Sequence, residues 1–381
     1  MTYTGTPPAS LTPQRPPRPA GPPGEVPAPP PVTDGNVPLT PGDKPRKQRD
    51  PFFDNAKFMA ILLVVMGHCL AQLGDVPLAK TLYLAIYMFH MPLFIVITGY
   101  FSRNWTFSAG RTRKLITSVG VPYVIFQTAY TLFDWSVGRH KLEISLLDPY
   151  FLTWFLCALF LWRLSTPVWQ QVRWPVAVAV GFSLLSYMSD LGDTLDLHRV
   201  IGLLPFYVLG LSLKPEHFEY LKKPVARPIG AALLIGAVGV AWFARTKMDL
   251  NWLYWKDPHS DFGVSNITGS VMRLAMMACA FTLIAAYLTL VPRRRTWFTK
   301  LGATTLYAYL LHGLLTRFLG YMGWWDTSWL HTVPGVIGVL AAACAVGTFL
   351  CSAPVVRCFR WAMEPKLDWA FRRTRTKTRV G

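Results

Sequence analysis

Residues 53–70 read FDNAKFMAILLVVMGHCL, an apolar helix with two residues that hydrocarbon disfavours, Lys57 at its start and His68 well inside. The two are eleven positions apart, about three turns plus 20° at 100° per residue, so both project from one face. Along the axis they are separated by about 16 Å. Asp54, Ile61 and Val64 lie near the same stripe. The pattern predicts a first membrane span with Lys57 at one interface and His68 near or beyond mid-membrane.

The rest of the chain extends that reading. Of 381 residues, 52% are hydrophobic and 15% charged, and 15 are tryptophan. Apolar residues gather in blocks long enough to cross about 30 Å of hydrocarbon. The fold expected is an all-α integral membrane protein of about ten spans: 57–74, 80–101, 114–134, 150–168, 174–190, 199–213, 228–244, 269–291, 301–321 and 333–353. Three regions follow: a Pro-rich tail over 1–50, a membrane domain over 51–355 and a basic tail over 356–381. About half of the 31 prolines fall in the first region, in runs such as PPRPAGPPGEVPAPPPV. With almost no large apolar residues to bury, that region is expected to be extended and disordered. It has no signal-peptide core, so the first span is expected to act as the insertion signal.

Six cysteines show no CxxC spacing, and five sit within apolar runs, where they act as small hydrophobes. No disulfide framework and no metal site is expected.

Basic residues set the orientation. With the N terminus inside, SRNWTFSAGRTRK, KPEHFEYLKKPVAR, PRRRTWFTK, both tails and the ends of adjoining spans hold about 29 of the 38 Lys and Arg. Both termini are therefore expected in the cytoplasm of a multi-pass cell-membrane protein. The net charge of +18 is mostly this topological signal. Scattered among loops and without a recognition motif, it gives no support to nucleic-acid binding. The outer loops instead carry acids and aromatics, as in NWLYW and GWWDTSW. Such rings form either an interfacial belt or a stacking surface for a sugar or another ring-bearing acceptor.

Two further histidines repeat the depth of His68. His90 lies about 20 Å above Arg103, and His312 about 18 Å above Lys300. Each has a plain reading as an interhelical hydrogen-bonding group. Lys57 has one as a snorkelling side chain. Arg273 and Arg317 fit snorkelling as well as binding, and Asp134 with Arg139 fits an interfacial ion pair. Chemistry gives a second reading. A neutral imidazole can take a proton from a hydroxyl, or attack a thioester itself. Lys57, Arg103, Arg111, Arg113 and Lys114 can hold the phosphates of a nucleotide-bearing donor at the inner mouth. A thin reactive arm would then reach up to His68.

These residues resemble the acyltransferase type 3 family of integral-membrane O-acyltransferases, in particular its fucose 4-O-acetylase-like branch. DNAKFMAILLVVMGH is similar to the family's first span, with Lys57 where arginine is usual. FHMPLFIVITGYF resembles the second span, with Thr98 where serine is common. RTRKLITSVGVPY resembles the third, its RxxR reduced to Arg111-x-x-Lys114. YFLTWFLCALF resembles the fourth-span pattern around Trp154, and LYAYLLH the penultimate span.

The resemblance implies transfer of an acyl group, commonly acetyl, from acyl-CoA as co-substrate to a hydroxyl of an extracytoplasmic carbohydrate or small molecule. It implies no resident cofactor. His68 would be the essential residue, as general base or as transient acyl carrier, with His90 assisting. Lys57, Arg111, Arg113 and Lys114 would bind the donor, and Trp154 and His312 would stand on the acceptor side. No soluble domain is expected after residue 353, so the membrane core would complete the transfer or pass the group to a partner. The alternative is a proton-coupled exporter of an amphipathic solute, which would use the same histidines without consuming acyl-CoA.

Overall fold

Asn55 fixes the first helix, α1 (Pro51–Leu70), to a distant loop. Its buried amide donates to the carbonyls of Pro292 (2.8 Å) and Arg294 (3.0 Å). Its oxygen accepts from the hydroxyls of Thr296 (3.1 Å) and Thr299 (2.7 Å). Lipid tails are as apolar as leucine, so helices inside a bilayer are held by close packing and by polar pins of this kind. The helix starts where Asp50 accepts from the Phe52 amide (2.9 Å) and Pro51 supplies a preset φ.

The computed structural model describes Met1, Thr2 and residues 50–371, apart from 140 and 222. The chain divides between Arg49 and Asp50 into two units, and every described helix lies in the second. The disorder expected over 1–50 falls almost wholly outside the described residues, as does the end of the basic tail, 372–381.

Prolines decide where the apolar stretches break. α2 (Pro77–Tyr87) and α3 (His90–Ser102) are halves of one stretch interrupted at Met88 and Phe89. Pro92 has no N–H for the Met88 carbonyl, and its ring crowds that oxygen. α4 (Ala109–Leu115) joins α5 (Val121–Ser136) through a π turn at Ile116–Gly120, because Pro122 cannot donate to Ser118. α6 (Trp154–Trp169) and α7 (Pro175–Ser186) follow. α8 (Leu197–Gly202) and α9 (Leu204–Ser212) meet at a 52° bend, with Pro205 just past it. After α10 (Pro215–Tyr220) come α11 (Ala226–Ala244), α12 (Asn266–Leu290), α13 (Thr305–Tyr321), α14 (Val333–Leu350) and α15 (Ala353–Met363).

The protein is an all-α membrane protein, with no strand among the described residues. Among the described residues seven helical stretches are long and apolar enough to span, or eight if α8 and α9 form one broken span. Helix occupies all ten expected places, but the count of ten does not follow. α7 has 12 residues, and α13 has 17 that include His312 and Arg317.

α1 sits at the centre, against α2, α3, α13 and α14. α3 and α9 cross most closely, through Gly99 and Gly210. A Cβ on Gly99 would strike the Tyr207 carbonyl, and one on Gly210 the Val96 carbonyl. α11 does the reverse and turns Ile235 (72% exposed) and its neighbours outward, as a lipid-facing helix must.

Two turns at one end of the bundle are tied by His331. Its Nδ1 lies 2.8 Å from both carboxylate oxygens of Asp75, and its Nε2 lies 2.8 Å from the Trp325 carbonyl. All these partners accept, so the ring carries both protons. The Trp325 carbonyl and then Asp75 raise its pKa above the ordinary histidine value. A raised folded value means the tie is complete below about pH 6.5 and is lost as pH climbs through the raised value. Melting curves of wild type and His331→Gln should therefore differ below pH 6.5 and converge at higher pH. A gap that widens with pH would refute the tie.

Candidate active site

His68 stands in the wall of a cavity of about 620 Å³. The cavity lies at the far end of α1 from Lys57, and Ala71 and Gln72, just beyond α1, also line it. The loops at 148–152, 192–196 and 253–257 complete it, with exposed Asp148, Asp193 and Lys256 at its rim. His68 is half-buried, and its side chain has no hydrogen-bonding partner among the described residues. A base placed this way is reachable by a solute entering the cavity.

The three histidines come together. The rings of His68 and His312 have centroids 5.2 Å apart. Tyr87 bridges to His90, with centroids 6.1 Å from His68 and 4.6 Å from His90. His90 lines the cavity, whereas His312 is buried and packs against His68 from outside the lining. Their local bonds fix their tautomers. His90 Nδ1 lies 2.9 Å from the Ile86 carbonyl, and His312 Nδ1 lies 2.8 Å from the Ala308 carbonyl. A carbonyl only accepts, so each Nδ1 carries hydrogen and each neutral Nε2 offers a lone pair.

Trp154, at the start of α6, is also in the cavity wall. The Arg199 guanidinium lies 5.1 Å from its ring centroid. Arg199 further donates to Asp196 (2.5 Å) and to the Tyr254 carbonyl (2.9 Å). Lys256 pairs with Asp257 at 3.8 Å. The Asp257 carboxyl is raised above the usual range, first by burial and also by nearby Asp261. Tyr83, Tyr87, Tyr150, Tyr254 and Trp255 add ring faces and hydroxyls. Aromatic faces beside carboxylates and a guanidinium suit an amphipathic, hydroxyl-bearing ring.

Several residues that build this site carry no motif. Gln127 is buried in α5 and holds the loop before α6. It donates to the carbonyls of Ser145 (2.7 Å) and Asp148 (2.8 Å), and accepts from the Tyr150 amide (2.8 Å) and the Thr153 hydroxyl (2.6 Å). Phe151 in that loop has φ +54°, and Asp196 and Trp255, also in the cavity wall, have φ +51° and +59°. Left-handed backbone at non-glycine residues costs on the order of 1–3 kcal/mol each and gathers at functional sites. The Phe151 ring is 5.7 Å from His68 by centroid, and the Arg317 guanidinium lies 4.2 Å from its centre.

One expected pairing is corrected, and one pair of alternatives, for Arg273, is decided. Asp134 does not pair with Arg139. It is buried, binds Arg317 and accepts from the Tyr150 hydroxyl at 2.6 Å, while Arg139 donates to the Gly320 carbonyl. Arg273 does not snorkel. It is fully buried and donates to the carbonyls of Trp252 (2.8 Å) and Asp257 (3.1 Å), among the rings of Tyr187, Trp252 and Trp255. It thereby holds the 252–257 loop over the cavity from beneath.

The expected donor residues lie toward the other end. Lys57 pairs with Asp54 at 2.8 Å and lies 5.8 Å from the Phe101 ring centroid. Arg111 binds the Asn104 carbonyl and the Thr106 hydroxyl (2.8 Å). Arg113 binds the Asp368 carboxylate and lies 4.8 Å from the Phe371 ring centroid. Lys114 is exposed. The structure thus gives the first three separate local partners and does not draw the four into one cluster. Between the two ends, Ile61 and Val64 of α1 and Leu93 and Val96 of α3 are buried in the apolar core.

A multi-helix membrane protein with a histidine-walled cavity is the class that fold and site define, and sequence comparison gives the family. The acyltransferase domain of the type 3 family matches residues 50–348, and the chain belongs to that family. It is also similar to nodulation protein NolL of Mesorhizobium japonicum, with 35% identity over 105 residues. That match spans 26% of this chain and 26% of the relative. No solved structure matches.

Proposed function

We propose that the protein is a membrane O-acyltransferase that moves an acyl group, acetyl in the simplest case, from cytoplasmic acyl-CoA to a hydroxyl of an extracytoplasmic carbohydrate. The fucose 4-O-acetylase-like resemblance supports that acceptor class. One observation carries the reading: an unpartnered imidazole, His68, in the wall of an aromatic-lined cavity, three helical turns from a basic helix end. With the basic loops inside, both termini are cytoplasmic and the cavity opens outward from the cell membrane.

Lys57, Arg111, Arg113 and Lys114 hold the donor's phosphates, Arg113 after releasing Asp368. The thioester arm runs along the α1 face past Ile61 and Val64. The acceptor ring rests on Trp154 and its neighbours. His68 takes the proton from the acceptor hydroxyl as that oxygen attacks the thioester carbonyl. The C–S bond breaks, the proton passes from the imidazolium to the leaving thiolate, and ester and free CoA thiol result. His90 helps to hold the hydroxyl in line.

The test is release of free CoA thiol from acetyl-CoA by the purified full-length chain in detergent. Release above the blank is expected. If CoA is neither bound nor cleaved, and proteoliposomes carry out proton-linked solute flux instead, the exporter reading replaces this one.

A further inference from the structure

We infer that His312 is the positioning partner of His68, accepting a hydrogen bond from one ring nitrogen of His68 so that the other is held as a bare base facing the cavity. This rests on the reading of His68 as the reacting base.

The argument begins with an orphan. His312 Nε2 is buried and has no hydrogen-bonding partner among the described residues. Its tautomer is not free to adapt, because Nδ1 is committed to the Ala308 carbonyl at 2.8 Å. Nε2 is therefore a fixed lone pair in a dry place, and a buried acceptor left unmet is costly. The neighbour able to meet it is His68. At a centroid separation of 5.2 Å and an interplanar angle of 51°, the two ring edges are in contact, and a modest turn of the half-buried His68 ring closes the bond. Two nearby hydroxyls are committed. The Tyr309 hydroxyl donates to the Leu152 carbonyl at 2.7 Å, and the Tyr130 hydroxyl to the Leu310 carbonyl at 2.5 Å. Arg317 is bound to Asp134 through one Nη, and its buried Nε, which has no hydrogen-bonding partner among the described residues, does not reach His312.

Once formed, the bond fixes which nitrogen of His68 bears hydrogen, as the partner of a catalytic histidine does generally. It also places an acceptor against the imidazolium that exists while His68 holds the acceptor's proton. His312 touches neither substrate, so its part is orientation. This sets it behind the base, away from the acceptor side where the family resemblance places it.

The reactivity of His68 reads this directly, without knowledge of the acceptor. Diethyl pyrocarbonate acylates an unprotonated imidazole nitrogen, and the carbethoxylation rate of His68 can be followed by peptide mass spectrometry against exposed His217. His312→Leu keeps bulk without an acceptor, and His312→Gln offers a carbonyl oxygen near the Nε2 position. The expected result is a rate lowered about tenfold by His312→Leu, the scale of one lost hydrogen bond, and largely rescued by His312→Gln.

His312→Asn, whose oxygen falls short, should behave like His312→Leu and serves if the leucine variant does not fold. Wild-type rates in the leucine and asparagine variants would overturn the pairing. An equal fall in leucine and glutamine variants would also overturn it, since packing alone would then account for the loss. Acetyl-CoA cleavage by the same preparations separates the two questions. Cleavage with an unresponsive His68 rejects the pairing alone, whereas a responsive His68 without cleavage rejects the acyltransferase reading.

Discussion

Replacing His68 by alanine should cut acyl transfer by about 10²–10⁴-fold, the range carried by a positioned general base. The protein should otherwise survive the change. His68 is half-buried and makes no side-chain hydrogen bond among the described residues, so its loss leaves no broken polar network. Donor affinity should stay near wild type, because the residues proposed to hold the phosphates lie three turns away or on α4. Lys57→Ala should show the opposite profile, with KM for acetyl-CoA raised and kcat much less affected. Initial rates of CoA-thiol release over a range of acetyl-CoA concentrations separate the two variants. If His68→Ala turns over at the wild-type rate, the base lies elsewhere and the cavity is not where transfer occurs. A labelled acyl group recovered on His68 of the wild type would instead make it the carrier.

The second large effect is on stability, at the Asp134–Arg317 pair. Its carboxylate is fully buried and its guanidinium mostly so. Forming such a pair contributes little net, because desolvation offsets the attraction, but removing one partner strands a charge. Asp134→Ala and Arg317→Ala should each destabilise by about 3–5 kcal/mol. The double variant should lose much less than the sum, since no charge is then stranded. Thermal melts of the four proteins in one detergent measure this cycle, and additive losses would show the pair to be uncoupled. The damage should also reach the site. Arg317 faces the Phe151 ring, which stands beside His68 at a left-handed backbone position. Freed of that packing, the loop can relax toward ordinary φ and move the wall against which His68 sits.

The sequence made the helical class and the histidine slab legible for simple reasons. Apolar blocks have a length set by the bilayer, and 3.6-residue periodicity converts spacing into depth. Lys57, His68, His90 and His312 could thus be placed by counting along separate helices. Counting along one helix does not say what lies across from it, which is why Asp134 was matched with nearby Arg139 instead of Arg317, 183 positions away. The expected ten spans meet seven or eight stretches of spanning length and apolarity among the described residues, for a related reason. Pro205 and Pro92 are plain in the sequence, but whether a proline bends, breaks or merely tightens a helix depends on the partners packed around it. Gln127 and the left-handed Phe151 were invisible because a lone glutamine and a lone phenylalanine carry no pattern. Only the loop they shape shows their use.

The apolar core between the two ends of α1 has an electrical meaning. On the proposed reading, a reaction joins two compartments through one polypeptide, and any wet route between them would discharge the membrane. Ile61, Val64, Leu93 and Val96 leave a section where an ion would lose its hydration shell with nothing to replace it. A thioester arm, uncharged along its reactive part, meets no such barrier. On that reading the donor's phosphates would stay behind with the lysine and arginines, and what crosses would be a neutral acyl group. Such a protein would export chemistry while remaining an insulator.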